Sequence, residues 1–600
     1  MSGYLGKILR INLTEKTIAT EPIDQKACRK FLGGRGLGTY ILWKETDPTI
    51  DALSPENKII IASGPLTGTP AIASGRYMVV TKSPLTGTVA SSNSGGFWGV
   101  ELKAAGYDAI IVEGKSETPV YVSIKDDQVE ILDAAPYWDK LVIETTDALV
   151  EASGDPKSRV LMIGPAGQKL SPIAAIINDK DRAAGRSGVG AVMGSKNMLG
   201  IVVRGSGKVE TADRDRLKEV LKAQRVKIKE NGVTGEGLPT HGTAVLVNVI
   251  NDQGVYPTNN WQESYFDRAK NASGEVLTEK YLTRREACAR CSIACGRHCR
   301  TSDGVEGGGP EYETIWAYTA DCGIDDLEAV IKANKWCNEY GIDTISAGCT
   351  IACAMEMYQK GIIKPEELDG PPLEFGNSEA VIEWTRKMGA CEGFGAKLAQ
   401  GSYRLADSYG VPELSMTVKK QELPAYDPRG LQGQGLQYAT SNRGGCHVRG
   451  YLISPEVLGL PEALDRTSLD GKATWARIFQ DLTAVIDSLG VCLFTSFALN
   501  VDDYTDVTAA VTGWDMTSEE LLETGDRIWN IERMYNLAAG IKPEEDTLPK
   551  RLLKEPIVDG PSKGMVHHLD QLLPEYYSIR GWTEDGRPTP EKIASLGLDE

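Results

Sequence analysis

The chain has 600 residues, 41% hydrophobic and 25% charged, with a formal net charge of −18. That length exceeds one core and predicts two to four domains. The acidity excludes nucleic acid or an anionic membrane surface as the main partner. The N-terminus lacks the apolar core of a secretion signal, and no apolar run reaches the ~20 residues of a membrane span. A cytoplasmic chain is expected, and there the twelve cysteines favour metal ligation over disulfides.

In chain order, residues 1–208 read as β-rich. Short β-branched runs (Lys58-Ile-Ile-Ile-Ala, Tyr77-Met-Val-Val-Thr, Ala109-Ile-Ile-Val, Val120-Tyr-Val-Ser-Ile and Ile201-Val-Val) are separated by Gly/Pro/Ser turns. Gly64-Pro-Leu-Thr-Gly and Ser83-Pro-Leu-Thr-Gly share a pattern, which suggests a local duplication or two equivalent hairpin corners. Beyond residue 208 the period changes to helical. Helices are expected over Asp213–Glu230, Asp326–Tyr340, Ala352–Gln359 and Ser378–Met388, and Ile478, Phe479, Leu482, Val485, Ile486 and Leu489 recur at i, i+3, i+4 spacing. The fold class is therefore α+β: a β-rich base over 1–208, then helical domains over 209–415 and 416–600.

The most specific chemistry lies in Cys288-Ala-Arg-Cys291-Ser-Ile-Ala-Cys295. This C-x₂-C-x₃-C spacing places three soft ligands on what reads as a loop-to-helix turn, as a zinc ion or an iron–sulfur cluster needs. Cys299 and the distant Cys492 are both candidates for the fourth. His298 offers a zinc knuckle, but no second CxxC follows. Plain buried cysteines prefer apolar surroundings, unlike a run flanked by Arg290, Arg297, His298 and Arg300. A [4Fe–4S] cluster is the favoured reading.

Two helices end alike, in Asn338-Glu-Tyr-Gly341-Ile342-Asp343 and Asp487-Ser-Leu-Gly490-Val491-Cys492. Each glycine suits a helix C-cap. The polar residue before and the acid or thiol after suggest two equivalent loops facing one centre. Carboxylates there suit a heterocycle with N–H donors. Gly188-Val-Gly190-Ala-Val-Met-Gly194 does not follow a hydrophobic strand, so it fails as a dinucleotide loop. With Arg182 and Arg186 it suits a cofactor phosphate. Asn93-Ser-Gly-Gly96 and Gly33-Gly-Arg-Gly-Leu-Gly38 are similar glycine turns.

Taken in order, Ser92-Asn-Ser-Gly-Gly, Asp181-Arg-Ala-Ala-Gly-Arg, the 288–295 cysteines, Gly309-Pro-Glu-Tyr-Glu313, both x-x-Gly loops and Asn442-Arg-Gly-Gly-Cys-His447 resemble the tungsten-containing aldehyde ferredoxin oxidoreductases. The resemblance implies tungsten held by the dithiolenes of two molybdopterins, with a [4Fe–4S] cluster nearby. It selects Cys492 over Cys299 as the fourth cluster ligand. It assigns Arg76, Asn93, Gly95, Arg182, Ala183, Gly185, Asn338, Ile342, Asp343, Arg443, Gly444, Asp487 and Val491 to the cofactor, and main-chain oxygens of Asn93 and Ala183 to Mg²⁺. Asn338 departs from the aspartate usual in the family.

Glu313 and His447 match the family's acid–base pair. Aldehydes would be oxidised to acids, with electrons leaving for a ferredoxin or an iron–sulfur subunit. The rivals are another tungsten reductase, such as the catalytic subunit of an aromatic-ring-reducing complex, and a non-catalytic electron-transfer subunit. None of the five histidines follows a glutamate by three residues, so the interface iron of some members is not expected, and a homo- or hetero-oligomer stays open. Arg290, Arg297 and Arg300 are candidates for a docking patch.

Overall fold

Short β-branched runs close into two six-stranded sheets in the computed structural model, which describes residues 1–599. The first holds β1 (Lys7–Asn12), β2 (Thr17–Pro22), β3 (Ile59–Ser63), β4 (Tyr77–Lys82), β5 (Val89–Ser94) and β6 (Ala109–Glu113), ordered β2-β1-β6-β3-β4-β5. The second holds β7 (Val120–Lys125), β8 (Gln128–Asp133), β9 (Arg159–Ile163), β10 (Ile176–Asn178), β11 (Arg182–Ala184) and β12 (Met198–Arg204), ordered β8-β7-β12-β9-β10-β11. In each, the first strand lies parallel to the last and every other pairing is antiparallel. The two sheets share one topology, so the base is an internal repeat.

The repeat is larger than the Pro-Leu-Thr-Gly pattern suggested. Gly64 opens the long connection after β3, whereas Ser83 closes the tight β4–β5 hairpin, its N–H donating to Thr88 O at 2.8 Å. The counterpart of Gly64-Pro65 is Gly164-Pro165, directly after β9.

Strand β3 is buried along its whole length, as an uninterrupted Ile59-Ile60-Ile61 run predicts for a strand covered on both faces. Ile59 and Ile61 join Leu161 and Ile201 in the core between the sheets. Ile60 and Ala62 face Leu37 and Ile41 of the helix Gly34–Glu45. Each large apolar side chain so buried contributes roughly 1.5–3 kcal/mol. Gly33–Gly38 is thus the start of a packed helix rather than a phosphate turn.

The rest is mainly helical, with asparate caps where the sequence changes period: Asp213 on Arg214–Glu230, Asp326 on Leu327–Tyr340 and Asp343 on Thr344–Gln359. The last helix begins at Thr344, not Ala352, because Asp343 accepts from the Ile345 and Ser346 N–H groups. Ser378–Ala390 and Lys472–Leu489 complete the expected set. One element departs from the helical reading: β13 (Leu282–Glu286), β14 (Gly296–Arg300) and β15 (Glu306–Gly308) form a small antiparallel sheet. The cysteine run is therefore a loop feeding a strand, not a helix.

Candidate functional site

Both x-x-Gly loops dock on the repeated base in the same way. Gly341 and Gly490 take left-handed C-cap conformations, φ 69° and 81°. Gly341 O accepts from Ala175 N at 2.8 Å and Asp343 N donates to Ile173 O at 3.0 Å. Gly490 O accepts from Arg76 N at 3.2 Å and Cys492 N donates to Ala73 O at 3.1 Å. A Cβ on Gly341 would stand 2.8 Å from Gly164 N, and one on Gly490 3.0 Å from Gly64 N. Each closure needs a glycine on both partners.

The second loop brings Cys492 to the cysteine run. Cys288, Cys291, Cys295 and Cys492 line one small void with Arg76 and Phe494. Cys299 is not among them: it sits in β14 in the apolar core, where burial pushes its thiol up to about 12. Among the described residues no three His, Cys, Asp or Glu side chains form a single-ion site. Four thiols spread around a void suit a multinuclear cluster, whose irons each take one thiolate. The neighbourhood fits that charge. Arg76 donates to Cys492 Sγ and Asn93 Oδ1, both at 3.1 Å. Burial lowers its affinity for a proton, but Cys492, Cys288 and Cys295 outweigh that and hold it charged. Gly95 is bare because a Cβ would stand 2.8 Å from Cys288 Sγ.

From these thiols a cavity of about 390 Å³ runs to Glu313 and His447. Its wall includes Arg76, Asn93, Gly95, Arg182, Ala183, Gly185, Asn338, Arg443 and Asp487. Four of the expected cofactor residues are not on that wall: Ile342, Asp343, Gly444 and Val491. Asp343 is occupied as a helix cap and by Arg186, whose Nε lies 2.9 Å from Oδ2. Asp487 also holds cations, Arg449 by a short contact and Arg35 at 3.4 Å, while its other oxygen accepts from Asn93 Nδ2 at 3.0 Å. Both loop carboxylates are thus engaged by the protein's own cations, and Asp487 also reaches the cavity wall. Each orients a buried arginine that reaches the wall, Arg186 or Arg449.

Arg449 and the cavity tyrosines Tyr312, Tyr426 and Tyr451 were not singled out from the sequence. The only signal for Arg449 was its position two residues after His447. Its Nε is buried without a partner, as are Glu313 Oε1 and His447 Nδ1. Such orphaned atoms on one wall call for a polar ligand.

Glu313 lies in the helix Tyr312–Tyr318, and its Oε2 accepts from Ala425 N at 3.0 Å. Oε1 stands 3.6 Å from His447 Nε2. Burial pushes the Glu313 carboxyl up to about 8. Burial, then the charges of Arg186, Arg443 and Arg449, push His447 well below its ordinary value. Both groups are therefore mainly neutral at pH 7, so their contact is a potential proton path rather than an ion pair.

The repeated base, the ring of thiols and the polar cavity define a class of redox enzyme built around a buried metal cofactor. Residues 8–205 match the profile of the "Aldehyde ferredoxin oxidoreductase, N-terminal domain" and residues 219–598 that of its "domains 2 & 3". The chain belongs to the aldehyde ferredoxin oxidoreductase family. It is 54% identical over 605 residues to a tungsten-containing aldehyde ferredoxin oxidoreductase of Pyrococcus abyssi, with 100% of both chains covered. It is 30% identical over 645 residues to the WOR-like subunit of an aliphatic sulfonate oxidoreductase of Pyrococcus furiosus, covering 100% of this chain and 98% of that one. A solved structure, the active site complex BamBC of benzoyl coenzyme A reductase with 1,5-dienoyl-CoA, superposes with a TM-score of 0.87 at 26% identity, covering 100% of this chain and 97% of that one.

Among the described residues no helix is long and apolar enough to cross a membrane.

Proposed function

We propose that the chain oxidises aldehydes to carboxylic acids at a tungsten centre carried by two molybdopterins, passing electrons through a [4Fe–4S] cluster to a ferredoxin or an iron–sulfur subunit. One observation carries this reading: Cys288, Cys295 and Cys492 and the Glu313–His447 pair line a single cavity. The metal centre supplies the two-electron acceptor. Cys288, Cys291, Cys295 and Cys492 hold the cluster, and Arg76 lies between it and the cofactor cavity. Arg76, Asn93, Gly95, Arg182, Ala183, Gly185, Asn338, Arg443 and Asp487 hold the pterins, with Ile342, Asp343, Gly444 and Val491 keeping that wall in place. Mg²⁺ on the main-chain oxygens of Asn93 and Ala183 is supported by the repeat, since these residues occupy edge strands β5 and β11, opposite Met78 and Ile177.

Converting an aldehyde and water to an acid releases two protons with two electrons. Glu313, once deprotonated, takes a proton from the attacking water, and His447 Nε2 relays one outward. The base form of Glu313 grows as pH rises toward about 8. Aldehyde oxidation should climb over the same range.

The test is elemental analysis for tungsten, iron and phosphorus, with aldehyde-dependent reduction of a viologen dye. Glu313→Gln should keep its metals, lose at least ~100-fold in turnover, the low end for a general acid or base, and lose the climb with pH. A fully metallated Glu313→Gln protein working near the parent rate would sink the assignment. The BamBC likeness supports a second reading, an aromatic-ring reductase, which requires dearomatisation of an aryl thioester and no aldehyde turnover.

A further inference from the structure

An arginine in the interior needs an anion or main-chain oxygens to answer its charge. Arg297, expected in a docking patch, is 2% exposed and bonds to main-chain oxygens of Thr240, Ala294 and Cys295. Arg300, expected beside it, pairs with Glu306. Around His447 three more buried arginines reach the cofactor cavity: Arg186, Arg443 and Arg449. Arg186 is answered by Asp343 and Arg449 by Asp487. Arg443, 5% exposed, has no carboxylate partner among the described residues. Its Nη1 donates to Ser91 O at 2.8 Å and its Nε to Cys446 Sγ at 3.2 Å. Its Nη2 makes no hydrogen bond among the described residues, although Arg443 stands on the cavity wall.

Cys446 is fully buried and forms no disulfide. It lies three residues after Arg443, across a turn that Gly444 takes at φ 94°, and directly before His447. Gln437 Nε2 donates to Cys446 O at 2.8 Å and Gly445 N to Val418 O at 3.0 Å, which pins the turn from outside. The groups facing the thiol are Arg443, Arg449, Arg186, Arg35 and Tyr438. Burial alone drives a thiol up, as it does Cys337, to about 12. At Cys446 the charges of Arg443, Arg449 and Arg186 and the Val448 N–H outweigh burial, and the thiol ends below its ordinary value.

We infer that Cys446 is the counter-ion of Arg443 and, through it, a positioning residue for the cofactor. The Cys446 thiolate and Ser91 O hold two corners of the guanidinium, and the third, Nη2, is left to donate to an anionic group of the cofactor. The orphaned Nε of Arg449, itself 2% exposed, is a second such donor on the same wall. The inference rests on the proposed cofactor filling this cavity.

The first test needs no cofactor. Thiolate ultraviolet absorbance of the full-length, metal-free protein is followed against pH in the parent and in Cys446→Ser. Their difference should titrate with a midpoint below about 8.5, the ordinary cysteine value, and Arg443→Gln should move that midpoint above it. The second test reads cofactor retention. After prolonged dialysis Cys446→Ser should hold about tenfold less tungsten and phosphorus, the worth of one charge-assisted hydrogen bond. Its iron should stay at the parent level, because the cluster thiols lie elsewhere. Cys446→Asp, which keeps a negative charge beside Arg443, should recover most of the loss, as a merely space-filling role would not allow. A parent midpoint at or above about 8.5, or parent tungsten in Cys446→Ser with iron intact, would overturn the pairing. If Cys446→Ser lost its iron as well, the parent is read against Arg443→Gln alone: more thiolate in the parent near neutral pH supports the pairing, and equal absorbance overturns it. Tungsten and phosphorus missing from the parent itself would instead overturn the proposed cofactor.

Discussion

The loops Asn338–Asp343 and Asp487–Cys492 have the same backbone and opposite chemistry. Each ends a helix on a left-handed glycine, accepts one N–H from the base and donates one back. The first then closes on itself, as Asp343 caps the next helix and binds Arg186. The second opens outward, with Cys492 donated to a foreign loop of thiols. Repeated halves of the base impose the symmetry, and one residue per loop breaks it. The four thiols gather on one side, since the position equivalent to Cys492 in the first loop is the helix-capping Asp343.

The largest test of that asymmetry is removal of the thiol. Cys492→Ser should lose the cluster outright, read as iron content and paramagnetic spectrum. Cys299→Ser should keep both, because its thiol is buried in the core away from the void. Iron lost from Cys299→Ser and kept in Cys492→Ser would invert the comparison.

The carboxylates come next. Asp487 holds two buried cations, Arg449 and Arg35, of which Arg35 also has Glu532 at 2.7 Å. Asp487→Asn leaves buried positive charge under-compensated, and breaking such a pair costs about 3–5 kcal/mol. Asp343→Asn strands only Arg186, which keeps the carbonyls of Gly445 and Glu422, and asparagine still caps a helix. About 1–3 kcal/mol is expected there, the cost of an impaired buried hydrogen bond. Denaturant midpoints of the metal-free proteins should rank Asp487→Asn below Asp343→Asn, and equal losses would remove the energetic difference between the loops.

Much of this was legible in the chain. Ile59–Ile61 and Tyr77–Val80 announced buried strands because both faces are covered, and Asp326 announced a helix start because its carboxylate caps it, whereas the helix capped by Asp343 was expected only from Ala352. Pairing Cys492 with the thiols rested on likeness of motif. What was not legible depends on distance in three dimensions. The β13–β15 sheet carries Thr283-Arg-Arg and Gly307-Gly, with no apolar alternation to reveal it. Arg449 reads as a surface residue until its partner Asp487, 38 positions away, is folded against it. The repeat in the base was hidden because its halves share strand order and little sequence beyond the Gly-Pro that follows β3 and β9.

The glycines probe the symmetric part. Gly490→Ala forces a Cβ to 2.1 Å from Thr67 Oγ1 at φ 81°, and Gly341→Ala one to 2.8 Å from Gly164 N at φ 69°. Left-handed strain of about 1–3 kcal/mol applies to both, and overpacking adds about 1–3 kcal/mol more at the tighter site. Both variants should be destabilised, Gly490→Ala the more, in thermal or denaturant unfolding. A neutral Gly341→Ala would show that only the second loop needs its close approach to the base.

The smallest change is the one that makes the loops more alike. Asn338 stands where the second loop has Asp487, and its Nδ2 donates to Gly308 O at 3.2 Å. Asn338→Asp swaps that donor for an acceptor facing a carbonyl. The half-buried side chain can turn into the cavity, and Gly308 O keeps Asn334 Nδ2 at 2.7 Å, so the loss should be only about 1 kcal/mol, the ordinary net worth of one hydrogen bond. Unlike Asp487, the new carboxylate has no buried arginine waiting for it, since Arg186 is already held by Asp343. The metal-free variant should therefore unfold slightly earlier than the parent at pH 7, with the gap narrowing at lower pH as the new carboxyl takes up a proton. A gap as large as that of Asp487→Asn, or one that widens on acidification, would mean that the first position of this loop carries a charge contact the geometry does not contain.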